Sequence, residues 1–358
     1  MNPSIQEERN AALDNLKGLL IISVVYVHMY DMLGHKTPLL YTIRLVVLSV
    51  QMPLFLFLSG YFGKHAEKRR RAALADYLVP FLLFNTLYYM IRAGQSPELE
   101  YGLLRPLNMY WFLLTLLIIR LLLPELLRIR GLLPLSIVVA LLAGGDHYFG
   151  RTLSLSRTVC FFPFYLLGYY CTEEHMKRIR CLPVPAVLLC GGTGAFLALW
   201  ITDTLHPDSS ASHPFQLVNS YETQGLEPLE GMAFRLSIYL IAPLLGVMLL
   251  RLVPAGKSVL TRIGRGSMTV YLLHAFPMLW VVGHWEWLCG LLARLLPGLE
   301  KYKYPGRLDY GIPQLALLLV YAFIVSLVLS SPPVTRAYNR MMDAVHRLLF
   351  RPVRRAEK

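Results

Sequence analysis

Apolar residues run along this chain in long uninterrupted blocks, and charged residues, Pro and Gly separate one block from the next. A helix needs about 20 mostly apolar residues to cross the core of a bilayer, and the blocks approach this length. Because the apolar residues are continuous and do not alternate in strands of about ten residues, the pattern favours helices over a β-barrel. The sequence predicts ten spans, approximately 16–34, 39–62, 74–92, 107–127, 132–146, 158–172, 182–203, 233–252, 266–288 and 312–331.

Composition and charge placement support an integral membrane protein. Hydrophobic residues make up 55% of the 358 residues and charged residues 16%, against about 25% charged in a typical soluble protein. The net charge of +13 does not indicate nucleic-acid binding, because most Lys and Arg residues flank apolar blocks, as membrane orientation requires. If the N-terminus is placed in the cytoplasm, most Lys and Arg residues fall in the segments that are then cytoplasmic. We therefore expect an all-α bundle of about ten transmembrane helices, in a lipid bilayer, with both termini cytoplasmic.

The chain is expected to be one membrane domain over residues 1–358, with a short cytoplasmic segment at 1–15 and a basic cytoplasmic tail at 332–358. Two loops on the outer side are long, 203–231 and 296–311, and we expect the first to cover the ends of the helices. The five cysteines are scattered without the paired spacing of a metal site, so no metal is expected.

The first span carries the most informative polar residues. His28 follows Lys17 by eleven residues, about three helical turns, so both lie on nearly the same face with His28 about 16 Å deeper. Ionisable residues inside a membrane are costly and usually face a cavity, which makes His28 a candidate functional residue. A neutral His28 that only bonds a neighbouring helix explains the pattern equally well. Asp31, one turn further on, either orients the imidazole or is a solvated residue at the helix end.

A second histidine, His274, lies nine residues beyond Arg265, which puts it about 13 Å deep and near the level of His28. Two histidines at one depth suggest a site within the bundle, while a packing role for His274 is equally compatible with the sequence. The pattern leaves open whether the two helices touch.

Polar residues also mark the outer ends of several spans. Arg44 and Arg157 lie at the outer ends of the second and sixth spans, where each either extends its side chain to the interface or binds an oxygen of an acceptor. Pro53 is expected to kink the second span and free backbone carbonyls near its middle. Trp111 is explained by the aromatic belt at the membrane interface.

The densest basic run is the inner loop 64–71 (KHAEKRRR). It can serve as an orientation signal and a contact for anionic lipid, or Arg69, Arg70 and Arg71 can also hold the phosphates of a nucleotide-like donor, which suits guanidinium geometry. The chain has no Walker pattern and no dinucleotide fingerprint, which argues against ATP-driven transport.

Several blocks resemble the acyltransferase-3 family of ten-helix membrane acyltransferases, in particular its fucose 4-O-acetylase-like group. The most specific is a basic residue, ten intervening positions and then His, which Lys17 and His28 reproduce. The blocks follow the order of the family and cover most of the chain. They are 13–28 (LDNLKGLLIISVVYVH), 51–61 (QMPLFLFLSGY), 110–117 (YWFLLTLL), 157–169 (RTVCFFPFYLLGY) and 264–274 (GRGSMTVYLLH).

The resemblance implies transfer of an acyl group, usually acetyl, from cytoplasmic acyl-CoA to a sugar hydroxyl of a cell-envelope or exported glycan. His28 would be the essential histidine, as general base or transient acyl carrier. Lys17 and Asp14 would belong to the inner part of the same site. The implied protein is a multi-pass enzyme of the bacterial inner (plasma) membrane, with acetyl-CoA as donor.

The family usually carries Arg or Lys on the inner loop close before the Pro of the third helix, where the CoA phosphates are thought to bind. In this chain the basic run ends at Arg71, and residues 72–77 separate it from 78–80 (LVP). The resemblance therefore implies a CoA contact at Arg69, Arg70 and Arg71 through a loop that departs from the family pattern.

Two other functions fit a multispanning protein. A transporter or flippase of a lipid-linked glycan would use the same kind of cavity, and it predicts broken helices at matching places in two halves. A catalytically inactive relative could instead act as a partner in envelope synthesis. Binding and turnover of acyl-CoA distinguish an acyltransferase from a flippase, because only an acyltransferase should bind acyl-CoA and hydrolyse or transfer it.

Overall fold

The apolar blocks form helices, and 84% of the described residues are helical, with none in a strand. The computed structural model describes residues 3–33, 38–94, 101–146, 152–205, 214–284, 287 and 311–350, apart from the side chains of 3–10, 33, 152, 205, 214 and 311–314. The expected loop 296–310, residues 206–213 of the expected cover and the end of the tail at 351–358 lie outside the described residues. In chain order the helices are α1 (Pro3–Leu33), α2 (Pro38–Tyr61), α3 (Ala66–Ala73), α4 (Val79–Ala93), α5 (Trp111–Leu126), α6 (Leu132–Leu142), α7 (Leu155–Tyr170), α8 (Glu173–Cys181), α9 (Val184–Leu205), α10 (Pro228–Leu252), α11 (Val259–Arg265), α12 (Ser267–Leu273), α13 (Ala275–Gly283), α14 (Gly311–Leu329) and α15 (Pro332–Leu349).

Six helical stretches among the described residues are long and apolar enough to cross a membrane, and the number rises to eight if each of two bent helix pairs is one span. This confirms an all-α integral membrane protein. A count of ten is not confirmed, because two predicted spans form short helices. The block 132–146 forms α6 with 11 residues, and 158–172 falls mostly in α7 with 16 residues, both below the usual length of about 20.

Helix α1 lies at the centre of the bundle and is the most buried of the six long stretches. It packs most extensively on α11 and also contacts α2, α10, α12, α13 and α14. Two further pairs, α2 with α7 and α9 with α10, pack as closely as α1 with α11. Other helices therefore surround α1 on most sides. A polar side chain on α1 consequently faces the interior of the helix bundle.

Small residues allow the closest of these contacts. A Cβ added to Gly264 of α11 would overlap the carbonyl oxygen of Asp14, and one added to Gly18 would overlap that of Leu260. Close approach through Gly is a common way for membrane helices to gain packing contacts without a hydrophobic driving force. The α1–α11 contact thus fixes the backbone that carries Asp14 and Lys17.

A buried amide completes the attachment of α1. Asn15 is wholly buried, and its Nδ2 donates to the carbonyl oxygens of Pro254 and Gly256 at 2.8 Å each. Its Oδ1 accepts from the hydroxyls of Ser258 at 2.9 Å and Thr261 at 2.6 Å. One side chain therefore ties α1 to both the turn before α11 and the first turn of α11.

The basic inner loop is part of a longer helix. Helix α3 continues through a π-helical turn, Leu74–Leu78, into α4. π-helical turns are rare and often occur at functional sites. The residues 72–77 that depart from the family pattern therefore lie in and just before this turn. At the end of the chain, α15 is bent by 57° from α14 and reaches this turn, where the ring of His346 contacts the carbonyl oxygen of Ala75 at 3.0 Å.

Candidate active site

Two histidines meet inside the bundle. The ring centroids of His28 on α1 and His274, between α12 and α13, lie 5.4 Å apart with an angle of 32° between the ring planes. Residue spacing predicted a similar depth for the two rings but left their contact open, and the packing of α12 and α13 on α1 brings them together. His28 lines a cavity, while His274 is fully buried beside it.

The backbone carbonyl groups around His274 indicate which of its ring nitrogens carries a proton. Its Nδ1 lies 3.0 Å from the carbonyl oxygen of Val270 and 2.8 Å from that of Tyr271. Because a carbonyl oxygen only accepts hydrogen bonds, Nδ1 is the nitrogen that carries the proton when the ring is neutral. Nε2 is then the atom with the lone pair, and it makes no hydrogen bond with any described residue. A buried acceptor without a donor is unusual in proteins and is often found at functional sites.

The cavity next to His28 has a volume of about 260 Å³. Its walls contain polar side chains, which can form hydrogen bonds, and also aromatic and aliphatic side chains, as ligand pockets commonly do. The helices α1, α2, α5 and α7 and the segment 214–218 contribute to it. Its lining residues are Val27, His28, Asp31, Leu48, Gln51, Met52, Pro106, Asn108, Trp111, Ser154, Arg157, Phe161, Phe215, Gln216 and Val218.

Asp31 lies on the cavity wall, and its carboxylate is held by an arginine. Arg44 Nε donates to Asp31 Oδ1 at 2.6 Å and Arg44 Nη2 donates to Oδ2 at 3.2 Å. Arg44 is 1% exposed, and its guanidinium also lies over the ring of Tyr30. Neither role left open for Asp31 included this partner on α2, which donates one bond to each carboxylate oxygen. The buried Arg44 does not extend its side chain to the interface.

Arg157 presents its guanidinium at the cavity. The group stacks over the ring of Trp111, 4.6 Å from the centroid, and Nε donates to the carbonyl oxygen of Gln216 at 3.0 Å. Trp111 therefore supports a cation in addition to any interface role. Arg157 also links α7 to the segment that closes the cavity.

Residues 214–231 of the expected cover do pack against the helices. Arg235 of α10, 2% exposed, donates to the carbonyl oxygen of Asn219 at 3.1 Å and stacks on Tyr221. Ser156 of α7 donates to the carbonyl oxygen of Leu217 at 2.8 Å. These contacts hold Phe215, Gln216 and Val218 in the cavity wall. Sequence reasoning missed these wall residues, because an irregular segment carries no periodicity from which its orientation follows.

Asp14 and Lys17 lie at the other end of the bundle from the cavity. Lys17 Nζ pairs with Asp14 Oδ1 at 2.7 Å, and Arg265 Nε pairs with Asp14 Oδ2 at 3.0 Å. Lys17 also lies over the ring of Phe62. As helix geometry predicts, Lys17 is about 16 Å along α1 from His28. The sequence identified Asp14 and Lys17 but not Arg265 as their third partner.

We call the end of the bundle that holds Lys17, Gly63 and Arg120 the Lys17 end. The opposite end, which holds the cavity residues Asp31 and Trp111, is the Asp31 end.

The three arginines of the basic loop are at the Lys17 end, on α3. Arg69 and Arg71 are exposed. Arg70 pairs with Glu67 at 3.1 Å, and Arg69 Nη2 donates to the carbonyl oxygen of Phe62 at 3.5 Å. The side chains of Arg69 and Arg71 are thus accessible from the aqueous side of this end, while Arg70 is engaged by an acidic neighbour.

The first residue of the basic loop has a structural role. Lys64 Nζ donates to the carbonyl oxygens of Gly168 at 3.2 Å and Cys171 at 2.7 Å, and also to that of Tyr169. These are carbonyls that the end of a helix leaves without partners, here at the end of α7. Partial burial lowers the pKa of the Lys64 ammonium. Lys64 therefore joins α2 to α7 and is not free to bind a ligand.

Among the described residues, no group of three or more His, Cys, Asp or Glu side chains could hold a metal ion.

Comparison with known proteins identifies the family. The model of the acyltransferase-3 family, described as an acyltransferase domain, matches residues 10–331. No curated protein and no solved structure matches the chain. The match covers α1 to α14, including both histidines and the cavity. It does not distinguish groups within the family, so the fucose 4-O-acetylase-like assignment stays a prediction. The chain belongs to the acyltransferase-3 family, and it is a membrane acyltransferase by that membership.

Proposed function

We propose that this protein transfers an acetyl group from cytoplasmic acetyl-CoA to a sugar hydroxyl of a cell-envelope or exported glycan. The observation that carries the proposal is the position of His28. Within an acyltransferase domain, His28 lies on a polar cavity and beside the buried ring of His274. An imidazole in such a cavity is suited to take a proton from a hydroxyl group.

The proposed reaction moves one proton and exchanges one bond. His28 takes the proton of the sugar hydroxyl while the oxygen attacks the carbonyl carbon of the thioester. The C–S bond then breaks, and the CoA thiolate leaves and takes the proton from the imidazolium. The sugar ester and CoA-SH are the products, and His28 returns to its neutral form. A route through a transient acyl-histidine uses the same residue and gives the same products.

The cavity is suited to orient an acceptor sugar. Its walls carry the amide groups of Gln51 and Asn108 and the guanidinium of Arg157. Such groups form hydrogen bonds with sugar hydroxyls. The volume of about 260 Å³ accommodates part of a glycan and not a long chain of sugars. The acceptor would therefore enter from the Asp31 end and present one hydroxyl to His28.

The donor is proposed to enter from the Lys17 end. That end carries the exposed guanidinium groups of Arg69 and Arg71, which suit the phosphates of CoA. The pantetheine arm would then extend along α1, from the level of Asp14 and Lys17 toward His28. In this arrangement the Lys17 end is cytoplasmic, and the protein is a multi-pass enzyme of the bacterial plasma membrane.

The test is acetyl transfer by purified protein in lipid nanodiscs. The protein is given acetyl-CoA labelled in the acetyl group and a panel of free sugars and lipid-linked glycans. An acyltransferase labels an acceptor, whereas a flippase leaves all acceptors unlabelled and does not bind acetyl-CoA. An inactive relative neither labels an acceptor nor moves a lipid-linked glycan across the membrane of proteoliposomes. The flippase result and the inactive result would each reject the proposal.

Sidedness has a separate test in proteoliposomes of known orientation. Acetyl-CoA is supplied on one side only and a membrane-impermeant acceptor on the other. We expect transfer only when acetyl-CoA faces the Lys17 end, located by labelling a cysteine introduced at exposed Arg128 in a variant whose five native cysteines are replaced. Transfer with donor and acceptor both confined to the Asp31 end would contradict the proposed donor path while leaving the activity itself intact.

A further inference from the structure

Helix α15 (Pro332–Leu349) has an apolar face and a charged face. Four apolar side chains recur at intervals of four, three and four residues, and they form one apolar stripe along the helix: Ala337, Met341, Ala344 and Leu348. Arg336, Arg340 and Arg347 form a row of their own. At about 100° per residue, the centres of the stripe and of the row lie about 90° apart around the helix. The arginines therefore border the stripe along most of its length.

A different part of the helix surface holds α15 on the bundle. Met342 is 5% exposed, and the ring centroids of Tyr338 and Phe84 lie 6.3 Å apart. The His346 ring contacts the carbonyl oxygen of Ala75 at 3.0 Å. These contacts fix the rotation of α15 about its own axis, and the apolar stripe therefore points away from the bundle.

The apolar stripe is exposed along its length. Met341 is 40% exposed and Leu348 is 86% exposed, and both alanines of the stripe are exposed as well. The three arginines beside it are also exposed. A row of exposed apolar side chains with polar residues at its rim marks a site of interaction with another protein or with a membrane.

Helix α15 begins at the Lys17 end of the bundle. A Cβ added to Gly266 would lie 2.8 Å from the Cβ of Ser330, just before α15, and Gly266 follows Arg265, the partner of Asp14. Because α15 is bent by 57° from α14, it does not continue the direction of that apolar helix. Its exposed charges exclude it from the hydrocarbon core of a bilayer. The helix therefore lies at the level of the lipid headgroups at this end.

Charge favours an anionic lipid surface over a second copy of this chain as the partner of α15. The helix has three arginines and one acidic residue, Asp343, so two copies of it would bring like charges together. Phosphates of lipid headgroups complement the arginines, and the acyl chains beneath them complement the apolar stripe.

We propose that α15 lies in the surface of the leaflet at the Lys17 end and binds anionic phospholipid. The apolar stripe enters the boundary between headgroups and acyl chains, and Arg336, Arg340 and Arg347 bind the phosphates. Guanidinium groups suit phosphate oxygens in number and geometry of donors. This inference does not rest on acyl transfer, because it concerns a surface outside the histidine cavity.

The experiment uses full-length protein whose five native cysteines are replaced, in nanodiscs of neutral or partly anionic phospholipid. A fluorophore on Leu348→Cys reports on the apolar stripe, and the same fluorophore on Asp343→Cys, an exposed position on the charged face, is the matched control. Quenching by a nitroxide on the lipid acyl chains is compared with quenching by aqueous acrylamide. In anionic nanodiscs, we expect the nitroxide to quench the Leu348→Cys probe and acrylamide to quench the Asp343→Cys probe.

The role of charge is tested by replacing the three arginines of α15 with Gln together. Each arginine near an anionic surface should contribute about fivefold to the ratio of inserted to lifted helix, so the triple variant should lower this ratio by about 100-fold. The control replaces three exposed arginines outside α15 with Gln: Arg128, Arg130 and Arg178. It changes the net charge equally and should leave the Leu348→Cys signal unchanged.

Three results would overturn the inference. Equal quenching of both probes by acrylamide in anionic nanodiscs would show that the stripe stays in water. Protection of the Leu348→Cys probe from both quenchers would show that protein covers the stripe, as in a dimer of this chain. Equal nitroxide quenching in neutral and anionic nanodiscs, unchanged in the triple arginine variant, would show that anionic lipid is not the partner.

Discussion

The imidazole rings of His28 and His274 lie 5.4 Å apart, and the nitrogen of His274 that carries the lone pair is buried and makes no hydrogen bond with any described residue. His274 is held by two backbone carbonyls through its other nitrogen. It therefore presents a fixed acceptor next to His28. If His28 donates a hydrogen bond to His274 Nε2, the lone pair of its other ring nitrogen is free to act as a base toward the cavity. In this arrangement His274 positions His28 as carboxylates position histidines in hydrolases.

The first prediction concerns this pair. His274→Phe keeps a ring in the buried space but removes the acceptor, and we expect the rate of acetyl transfer at saturating substrate to fall by about 100-fold. The KM for the acceptor sugar should stay unchanged, since His274 does not line the cavity. The control is His284→Phe, an exposed histidine at the end of α13. A packing role alone would lower thermal stability and leave the rate of folded enzyme near that of wild type.

The second prediction concerns Asp31 and Arg44. Arg44→Met leaves the Asp31 carboxylate without its buried partner, so the free energy of unfolding should fall by about 3 kcal/mol. Adding Asp31→Asn to Arg44→Met should recover at least half of the loss, because the unpaired charge is then removed. Thermal unfolding of the two single variants and the double variant in nanodiscs measures this. Additive losses would show that the two residues do not act as a pair.

Sequence alone predicted the depth of both histidines, because helix geometry converts residue spacing into distance. It could not predict their contact, which depends on how α12 and α13 pack on α1. The partner of Asp31 was missed for the same reason, since Arg44 comes from another helix. Arg120 carried one visible signal, a charge within an apolar block. That its Nε and Nη1 make no hydrogen bond with any described residue is visible only in the folded chain.

The membrane-spanning class followed from the apolar blocks, whereas the number of spans did not. Hydropathy detects a block of apolar residues but not where hydrogen bonding ends a helix. The predicted span 266–288 starts at the observed break, but its apolar pattern did not show the helix Val259–Arg265, which meets Ser267–Gly283 at a bend of 66°. The break falls at Gly266, which packs against Ser330 after α14. Such a break depends on a tertiary contact that no periodicity records.

The third prediction tests the α1–α11 contact. Gly264→Ala would force a methyl group into the carbonyl oxygen of Asp14, which is backbone and cannot move aside. We expect a loss of about 1–3 kcal/mol in the free energy of unfolding. Gly192→Ala is the control, since a Cβ there has no atom within 4 Å, and alanine should slightly stabilise helix α9. Equal midpoints of thermal unfolding for the two variants would contradict the close approach.

The fourth prediction concerns Asn15. Asn15→Ala removes two donors and one acceptor from buried partners around the start of α11. The partners are left unsatisfied, so the free energy of unfolding should fall by about 3 kcal/mol. Asn339→Ala, at an exposed position of α15, serves as the matched control. Stability within experimental error of the control would mean that water replaces the amide and that this attachment of α1 is weak.

His28 is proposed to be the acid–base residue of this acyltransferase. The most direct test measures release of CoA thiol from acetyl-CoA by protein in nanodiscs, with and without acceptor sugars. Wild-type protein and His28→Ala are compared at equal amounts of folded protein, with His284→Ala as the control. The account predicts acceptor-dependent release by wild type and by His284→Ala, and a loss of at least about 100-fold in His28→Ala. Release by His28→Ala at the wild-type rate would contradict the role assigned to His28.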